Sequence, residues 1–330
     1  MVSTKLARIL GTAAYVPSKR LTNRDFESLV DTTEEWIVTR TGMQERRIAR
    51  DDEFASDMGY IAAIRALEET GLSPDDIDLI AVATTTPDYP FPSTAALIQQ
   101  RLGCQRAAAF DFQAACTGYL YGLAFAKGLV ESGSFKNVLV IATEKLSSIV
   151  DYTDRSTCIL FGDGAAASVV SIDGPGLAIE HVRLGTDGEQ SNLLIIPGGG
   201  CRNPPSIKTV EERLHFIKMQ GREIFKHAVR RMIQAMQESM EELGLKEEEI
   251  AWLVPHQANV RIIHAIAKRF DIPLERVWMT VERYGNTSAS SVPIALCDLM
   301  AEHTLEKGSY LVLPSFGAGL TWGTAILRQL

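Results

Sequence analysis

The sequence predicts an α/β protein built from two similar halves. Apolar runs with the length of strands, such as Ile77–Thr84 and Asn137–Ala142, alternate with amphipathic stretches such as Ser56–Thr70. This alternation is typical of α/β folds. A nearly continuous apolar run also indicates a strand whose sheet is covered on both faces. The third observation is an internal repeat, described below, which predicts that the chain forms one unit twice.

Composition narrows the class of protein. The chain has 330 residues, of which 46% are hydrophobic and 22% are charged, and this balance is ordinary for a globular protein with a large core. The net charge of −8 argues against general nucleic-acid binding. No stretch has the character of a secretion signal or a membrane span, so we expect a cytoplasmic enzyme with neither a nucleic-acid nor a membrane partner.

The cysteines indicate neither a disulfide framework nor a metal site. They are odd in number and scattered, with no Cys-x-x-Cys pair and no zinc-like Cys/His spacing. Such usage fits a reducing compartment. The five positions are Cys104, Cys116, Cys158, Cys201 and Cys297.

The N-terminal region is expected to begin with a strand at Lys5–Ala14. A helix is predicted over Asn23–Val38, with Asn23 as its N-cap and Asp31-Thr32 as an interruption. Four arginines then follow in what is predicted to be a polar loop, and such a charged run is usually a solvated face. They are Arg40, Arg46, Arg47 and Arg50.

The next elements are an amphipathic helix over Ser56–Thr70 that ends at Gly71 and a strand over Ile77–Thr84. The segment 84–93, TTTPDYPFPS, contains three prolines and is therefore predicted to be irregular. A helix over Ala95–Leu102 follows. Further on, Phe161–Ser171 is predicted to be a turn that enters a buried strand.

The stretch Ala107–Gly133 predicts an extended segment, a sharp turn at Cys116 and a buried helix. Unpaired amides and the positive end of the helix dipole favour an anion at a helix N-terminus, so this position favours the thiolate of Cys116. A reactive cysteine is one interpretation. The other is a small buried hydrophobic residue, because most free cysteines are of that kind.

The second half of the chain repeats the pattern of the first. Leu67–Val82 aligns without a gap with Met240–Pro255, and nearly the same offset places Val138–Ile141 over Tyr310–Leu313. Duplication explains both matches, whereas convergence on a common helix-Gly-Leu ending is the alternative. The seam is expected near 173–176 or in the loop 197–205, and we divide the chain into residues 1–175 and 176–330.

Two further polar side chains are predicted at the ends of elements. His256 follows the strand Ala251–Val254, and Asn286, in YGNTSAS, precedes the helix Val292–His303. Ligand groups converge at strand ends and helix N-termini in α/β sheets. Alternatively, His256 is a packed core residue and Asn286 is a turn residue.

These motifs together resemble those of one family. Cys116 in AACTG, His256 in PHQAN and Asn286 in GNTSAS are similar to the active-site motifs of β-ketoacyl-acyl-carrier-protein synthase III, in the thiolase-like superfamily. TRTG at 39–42, FGDGA at 161–165 and SFGAG at 315–319 extend the likeness over essentially the whole chain. The resemblance implies a thiolase-like fold: two duplicated βαβαβ-type halves in an α-β-α-β-α sandwich, with the cysteine in the first half and the histidine and asparagine in the second.

The resemblance also implies a reaction, a decarboxylating Claisen condensation. A short acyl group passes from coenzyme A to Cys116, and the carbanion formed when malonyl-acyl carrier protein loses CO2 attacks it. The amides of Cys116 and Ala318 would form the oxyanion hole, although the family usually has glycine at the position of Ala318. His256 Nε2 and the Asn286 amide would stabilise the enolate. The family needs no metal and no cofactor, since the CoA thioester is a substrate.

Substrate contacts are implied in the same way. Trp36 and Arg155 match the pair that stacks on adenine, although Trp36 could instead be a packing residue. Phe91 matches a residue that closes the acyl pocket of a neighbouring subunit, which implies a homodimer and favours acetyl or propionyl groups. The positions that match the pantetheine tunnel are Thr32, Arg40, Gly221, Phe225 and Asn259.

A basic face would bind the acidic carrier protein, because the chain as a whole is negative. Arg261 and Lys268 are about two turns apart on one predicted helix and therefore share a face. An ordinary solvated face is the alternative. The candidate docking residues are Lys226, Arg230, Arg261, Lys268 and Arg269.

Two rival functions remain open on the sequence. One is a related condensing enzyme that uses another starter, such as a polyketide starter. The other is a non-catalytic thiolase-fold scaffold that binds carrier protein. Scaffolds of that kind characteristically lose the nucleophile, whereas this chain retains the cysteine, histidine and asparagine.

Overall fold

The structure is a computed structural model that describes residues 6–330. Lys5, where the first predicted strand begins, lies outside the described residues. The strands are β1 (Arg8–Tyr15), β2 (Lys19–Thr22), β3 (Glu45–Ile48), β4 (Leu79–Ala83), β5 (Ala108–Phe112), β6 (Asn137–Glu144), β7 (Gly164–Ser171), β8 (Leu177–Thr186), β9 (Leu194–Ile195), β10 (Lys218–Met219), β11 (Ile250–Leu253), β12 (Tyr310–Gly317) and β13 (Thr321–Gln329). The helices are α1 (Asn23–Glu27), α2 (Glu34–Thr41), α3 (Ala55–Thr70), α4 (Thr94–Leu102), α5 (Gly118–Glu131), α6 (Arg155–Cys158), α7 (Ile207–Glu211), α8 (Gly221–Leu243), α9 (Val260–Arg269), α10 (Val281–Tyr284) and α11 (Ser291–Glu302). No helix within 6–330 has both the length and the apolar character needed to cross a bilayer.

The main sheet is symmetric about its centre. Its order is β11-β12-β13-β8-β1-β7-β6-β4-β5, and the two arms meet where β1 and β8 share two residue pairs. In one arm β4 runs parallel to β6 and β6 antiparallel to β7; in the other, β11 runs parallel to β12 and β12 antiparallel to β13. A parallel bridge from Leu253 to Val277 takes the position of β5 in the second arm. This symmetry supports the duplication, and the division at 175/176 stays a prediction.

Alternate side chains of the same strands face different helical layers. In β6, Val138 and Val140 pack with α5 and α11, whereas Leu139 and Ile141 pack with α3 and α4. In β12, Leu311 and Leu313 face α5 and α11, and Val312 faces α8 and α9. The layers are therefore α3/α4, first arm, α5/α11, second arm and α8/α9. The predicted five-layer sandwich is confirmed.

The helix predicted over Asn23–Val38 is two helices, α1 and α2. The N-cap of α1 is Thr22 rather than Asn23, and the Thr22 amide donates to the Asp25 carboxylate at 2.7 Å. Asn23 is buried instead, and its Nδ2 donates to the Met43 carbonyl at 2.7 Å. The prediction was wrong because two adjacent residues can both cap a helix, and tertiary contacts hold Asn23 inside.

The predicted polar arginine loop was also wrong in part. Arg40 lies in α2, and Arg46 and Arg47 belong to β3, which pairs with β2. Strand alternation points Arg46 inward. Its guanidinium donates to the Ile159 carbonyl at 2.7 Å and to the Asn23 side-chain oxygen at 2.6 Å, and burial lowers its pKa to about 10. This buried cation is held by neutral acceptors and by the Phe26 ring, 4.9 Å away.

Candidate active site

Cys116 lies in a tight turn between β5 and α5, as predicted. Residues Ala115–Thr117 form one 3-10 turn directly before α5, and Ala115 has a φ of +45°. The Ser315 hydroxyl donates to the Cys116 carbonyl at 2.8 Å. A Cβ on Gly317 would lie 2.6 Å from the Cys116 nitrogen, so glycine is required for β12 to approach the turn this closely. The end of β12 therefore packs directly against Cys116.

A second turn of the same kind packs beside the first. Residues Ser288–Ser290 form a 3-10 turn directly before α11, and Ser288 has a φ of +52°, close to the value at Ala115. A Cβ on Gly118 would lie 3.1 Å from the Ala289 Cβ, so the two turns are in close contact. The symmetry of the sheet thus places the asparagine motif next to the cysteine motif.

The backbone amide and the backbone carbonyl of Asn286 are both hydrogen-bonded. Its amide donates to the Leu160 carbonyl at 2.9 Å, and its carbonyl accepts from the Gly162 amide at 3.0 Å. Its side-chain Oδ1 accepts from the Ser288 amide at 2.9 Å. The side-chain Nδ2 group remains as a hydrogen-bond donor that this contact does not use.

His256 is oriented by the residues around it. It follows β11, and its amide donates to the Pro314 carbonyl at 2.9 Å. Its Nδ1 lies 2.5 Å from the Ser291 hydroxyl, which itself accepts from the Gln257 amide at 3.4 Å. When the Ser291 hydroxyl donates its hydrogen to Nδ1, the ring hydrogen of His256 is on Nε2, which is then a donor.

Two cavities meet at Cys116. His256 and Asn286 line one of them, of about 110 Å³, together with Cys116. Gly221, Phe225 and Asn259, three of the predicted tunnel residues, line it as well. The second cavity has a volume of about 410 Å³, and Cys116, Thr85 and Ala318 line it with apolar side chains. Those apolar residues include Leu146, Ile149, Phe161 and Ile217.

The electrostatics of Cys116 differ from the expected thiolate. The residue is 7% exposed, and burial raises its pKa to about 12. Burial also lowers the pKa of His256 to about 3. The resting site therefore holds a neutral thiol and a neutral imidazole. The expected thiolate of Cys116 was wrong because the position of a cysteine in the sequence does not show how deeply the fold buries its thiol.

Trp36 and Arg155, the pair predicted to stack on adenine, lie together outside the cavity lined by His256, and Arg40, predicted for the pantetheine tunnel, lies beside them. The Arg40 guanidinium lies 5.8 Å from the centroid of the Trp36 ring, and the Arg155 guanidinium lies 5.2 Å from the same centroid. The Asn259 side chain donates to the Arg40 carbonyl at 3.0 Å, which connects this group to the cavity. Thr32 lies between α1 and α2 and does not line either cavity.

The remaining predicted residues are on the surface. Phe91 is 86% exposed at the tip of the proline-rich loop and lines neither cavity of the single chain. The Arg261 guanidinium lies 5.4 Å from the centroid of the Phe225 ring, and the Lys226 ammonium pairs with Glu223 at 2.8 Å. Lys268 and Arg269 are exposed in the last turn of α9.

Sequence reasoning missed three buried residues around the site. Gln257 accepts from the Thr280 and Val281 amides at 2.8 and 3.1 Å and so fixes the loop after His256. Ser291 orients His256, and Glu144 is a fully buried carboxylate that contacts Ser288 at 3.0 Å. Gln257 is part of the PHQAN motif and could have been found, whereas nothing local marks Glu144. Among residues 6–330, no cluster of His, Cys, Asp and Glu is arranged to hold a metal.

Comparisons with known proteins agree with this fold. The family described as 3-oxoacyl-[acyl-carrier-protein (ACP)] synthase III matches residues 110–188, and its C-terminal part matches residues 240–329. A β-ketoacyl-[acyl-carrier-protein] synthase III from Chlamydia caviae is 56% identical and covers 98% of this chain and 97% of its own length. A crystal structure of 3-oxoacyl-[acyl-carrier-protein] synthase III from Aquifex aeolicus VF5 is 46% identical, with a TM-score of 0.91, over 98% of this chain and 99% of that one. The priming β-ketosynthase of the R1128 polyketide biosynthetic pathway is 36% identical, with a TM-score of 0.89, over 98% and 96%.

The layered fold places this protein among the thiolase-fold condensing enzymes, which are acyltransferases. Within that class, the chain belongs to the 3-oxoacyl-[acyl-carrier-protein] synthase III family.

Proposed function

We propose that this enzyme initiates fatty acid synthesis by condensing a short acyl-CoA with malonyl-acyl carrier protein. The products are 3-ketoacyl-carrier protein, CoA and CO2. The observation that carries the proposal is the position of Cys116, where an apolar cavity meets a cavity lined by His256 and Asn286. An acyl group on the sulfur would extend into the apolar cavity, and the second thioester would enter through the cavity lined by His256 and Asn286.

The first half-reaction transfers the acyl group to Cys116. The sulfur attacks the thioester carbonyl, the bond from that carbon to the CoA sulfur breaks, and the thiol proton ends on CoA. The amides of Cys116 and Ala318 stabilise the tetrahedral oxyanion, and losing one such donor costs about 3 kcal/mol of activation free energy. The extra methyl of Ala318 leaves its amide available.

The second half-reaction is the condensation. Breaking the bond to the malonyl carboxylate releases CO2 and leaves an enolate whose oxygen accepts from His256 Nε2 and Asn286 Nδ2. The carbanion attacks the acyl carbonyl, the bond from that carbon to the Cys116 sulfur breaks, and the departing thiolate takes a proton from solvent. Neither donor is lost by titration near pH 7, because burial keeps the imidazole neutral and an amide does not titrate in this range.

Separate assays of the two half-reactions test these roles. In H256A and N286A, malonyl decarboxylation and condensation should fall by roughly a hundredfold or more, while acyl exchange with CoA continues. C116A should lose acyl exchange altogether. If H256A reduced both half-reactions equally, the proposed separation of roles would be wrong.

The starter that we propose is acetyl-CoA or propionyl-CoA. Phe91 supports this choice if it reaches the partner's acyl cavity in a homodimer, where its ring would shorten the space beside Cys116. The likeness to a polyketide priming ketosynthase keeps another starter as the second candidate. Competition among acyl-CoAs of increasing length distinguishes the two, because a short-chain enzyme acylates Cys116 fastest with acetyl or propionyl.

The remaining proposals concern partners and compartment. The enzyme uses no cofactor, and it binds the acidic carrier protein through the basic residues around Arg261. It acts in the cytoplasm, which the five free cysteines support.

A further inference from the structure

Two buried threonine hydroxyls meet where the turn of Cys116 packs against the hairpin of β12 and β13. The Thr117 hydroxyl donates to the Thr321 hydroxyl at 2.7 Å, although 204 residues separate the two positions. Thr117 is fully buried, and Thr321 is 8% exposed. The proposed reaction uses neither hydroxyl. A buried hydrogen bond between two segments so distant in sequence fixes one segment against the other.

Each hydroxyl also lies close to a backbone carbonyl. Thr117 Oγ1 is 2.6 Å from the Ala114 carbonyl oxygen. Thr321 Oγ1 is 3.0 Å from the Ala318 carbonyl oxygen and 3.1 Å from that of Ala114. Because a hydroxyl has one hydrogen, a Thr321 that accepts from Thr117 donates to one of these two carbonyls. The pair therefore joins the cysteine turn (residues 114–117) to the hairpin loop between β12 and β13 (residues 318–320).

The hairpin loop is also held on its far side. The amides of Asp187 and Leu320 each donate to the other residue's carbonyl at 2.9 Å. These two bonds fix the loop against the end of β8, and the Thr321 hydroxyl fixes it against the cysteine turn. The position of the loop relative to the turn is thus set by contacts on both sides.

The two joined segments carry the two proposed oxyanion donors. The amide of Cys116 belongs to the cysteine turn, and the amide of Ala318 belongs to the hairpin loop. Donors of this kind act only when they lie about 3 Å from the place that the oxyanion will occupy. A misplacement of about 1 Å can cost roughly a hundredfold in rate. The spacing of these two amides therefore matters for catalysis.

We infer that Thr117 and Thr321 are positioning residues which, through the hydrogen bond between their hydroxyls, hold the two amides at the spacing that one oxyanion requires. The inference rests on the proposed acyl transfer to Cys116. Both half-reactions pass through a tetrahedral oxyanion, first when the sulfur attacks the acyl-CoA and then when the carbanion attacks the acyl-enzyme. Both therefore depend on the pair, whereas decarboxylation depends on His256 and Asn286.

T321V tests this role, because valine keeps the branched shape of threonine and removes the hydroxyl. In a single turnover with acetyl-CoA, we expect the maximal rate of Cys116 acylation to fall roughly tenfold. The acetyl-CoA concentration that gives half of this rate should not change, because the lost interaction acts on the transition state and not on substrate binding. T321S, which keeps the hydroxyl, should stay within roughly threefold of the wild type.

T117V is the second variant of the same contact. It should slow acylation as much as T321V does. The double variant should be no slower than either single variant, because each change removes the same hydrogen bond.

Two controls separate this role from general damage to the site. Alkylation of Cys116 by iodoacetamide uses the same sulfur and forms no oxyanion, so its rate, read by peptide mass spectrometry, should be equal in T321V and the wild type. T324V is the matched variant, since Thr324 is fully buried on β13 and its hydroxyl has no hydrogen-bond partner among residues 6–330. It should leave acylation and alkylation unchanged.

Three results would overturn the inference. They are wild-type acylation by T321V, an equal loss of acylation and alkylation in T321V, and an equal loss of acylation in T324V. A wild-type protein that acetyl-CoA does not acylate at Cys116 would instead refute the proposed function. Chemical denaturation of T117V, T321V and the double variant tests the contact even then, because strictly additive losses in the free energy of unfolding would show that the two hydroxyls are not coupled.

Discussion

At the scale of single residues, the site is defined by which hydrogen-bonding capacities are already used. Asn286 Oδ1 is occupied by the Ser288 amide, and His256 Nδ1 by the Ser291 hydroxyl. Each side chain is left with a donor, Nδ2 or Nε2. Two hydrogen-bond donors with no acid beside them are better suited to stabilising an enolate oxygen than to transferring a proton.

Ser291 is predicted to matter for condensation and not for acyl transfer. In S291A the His256 ring loses the partner that fixes its tautomer, and we expect condensation to fall by about tenfold while acyl exchange is unchanged. S290A is the matched control, because that buried hydroxyl donates to the Thr287 carbonyl at 2.8 Å and does not touch His256. Equal losses in the two variants would contradict the role of Ser291.

His256 should also make the protein sensitive to acid. Its pKa is lowered to about 3 in the fold, against an ordinary value of 6.5, so the unfolded chain binds the extra proton between these values. Its contribution is intact above about pH 6.5 and is lost by about 1.4 kcal/mol per pH unit as the pH falls towards 3. We expect the free energy of unfolding, measured by denaturant at about pH 6 and pH 5, to change with pH less steeply in H256Q than in the wild type, by that amount. An unchanged slope in H256Q would disprove the assignment.

The sequence predicted residues of this kind only where a motif contains them. Cys116, His256 and Asn286 stand at element ends that a pattern can locate. Glu144 ends a strand of ordinary composition, and its contact with Ser288 joins positions 144 residues apart. No local pattern encodes such a contact.

At the scale of elements, α5 and α11 form the central layer, and their length and apolar character were predictable. Within α5, Gly122 allows the helix to approach β6, because a Cβ there would lie 2.6 Å from Val140 Cγ1 and 3.2 Å from the Phe112 ring. Gly128, on the same helix, has nothing within 4 Å of such a Cβ.

These two glycines should respond oppositely to alanine. G122A overpacks the core and should lower the free energy of unfolding by about 1–3 kcal/mol. G128A should raise it by about 0.5–1 kcal/mol, since glycine costs that much inside a helix. Chemical denaturation measures both, and destabilisation of the same size in the two variants would mean that close packing of α5 on β6 is not the cause.

The elements that sequence patterns missed are short ones. The arginines at 46 and 47 were assigned to a loop because a four-residue strand leaves too few positions for alternation to be visible. The α1 cap was misplaced by one residue because Thr22 and Asn23 are both good caps. In each case a long-range contact, such as Arg46 with the Ile159 carbonyl, decides the outcome.

At the scale of the whole molecule, duplication explains how the site is assembled. Two equivalent turns, at Cys116 and at Ser288–Ser290, precede two equivalent central helices and pack against one another. The internal repeat predicted two similar halves, whereas the contact between these two turns is visible only in the structure. The predicted position of Phe91 in a partner's cavity stays a prediction, because it depends on a second copy of the chain.

Charge at this scale gives a prediction for carrier-protein binding. The net charge of −8 repels an acidic partner, so a local basic face around Arg261 must supply the attraction. R261E should raise the KM for malonyl-carrier protein by roughly threefold or more and leave acyl-CoA exchange unchanged. K136E carries the same charge reversal at an exposed residue directly before β6 and serves as control. Docking at Arg261 is refuted if both variants raise the KM equally or if R261E also impairs exchange.

The central claim is that Cys116 carries the acyl group, and intact-protein mass spectrometry after incubation with acetyl-CoA tests it most directly. We predict that the wild-type protein gains the mass of one acetyl group, that digestion places it on the peptide containing Cys116, and that C116A gains nothing. Acylation of C116A, or a wild-type label on another cysteine such as Cys201, would contradict the account.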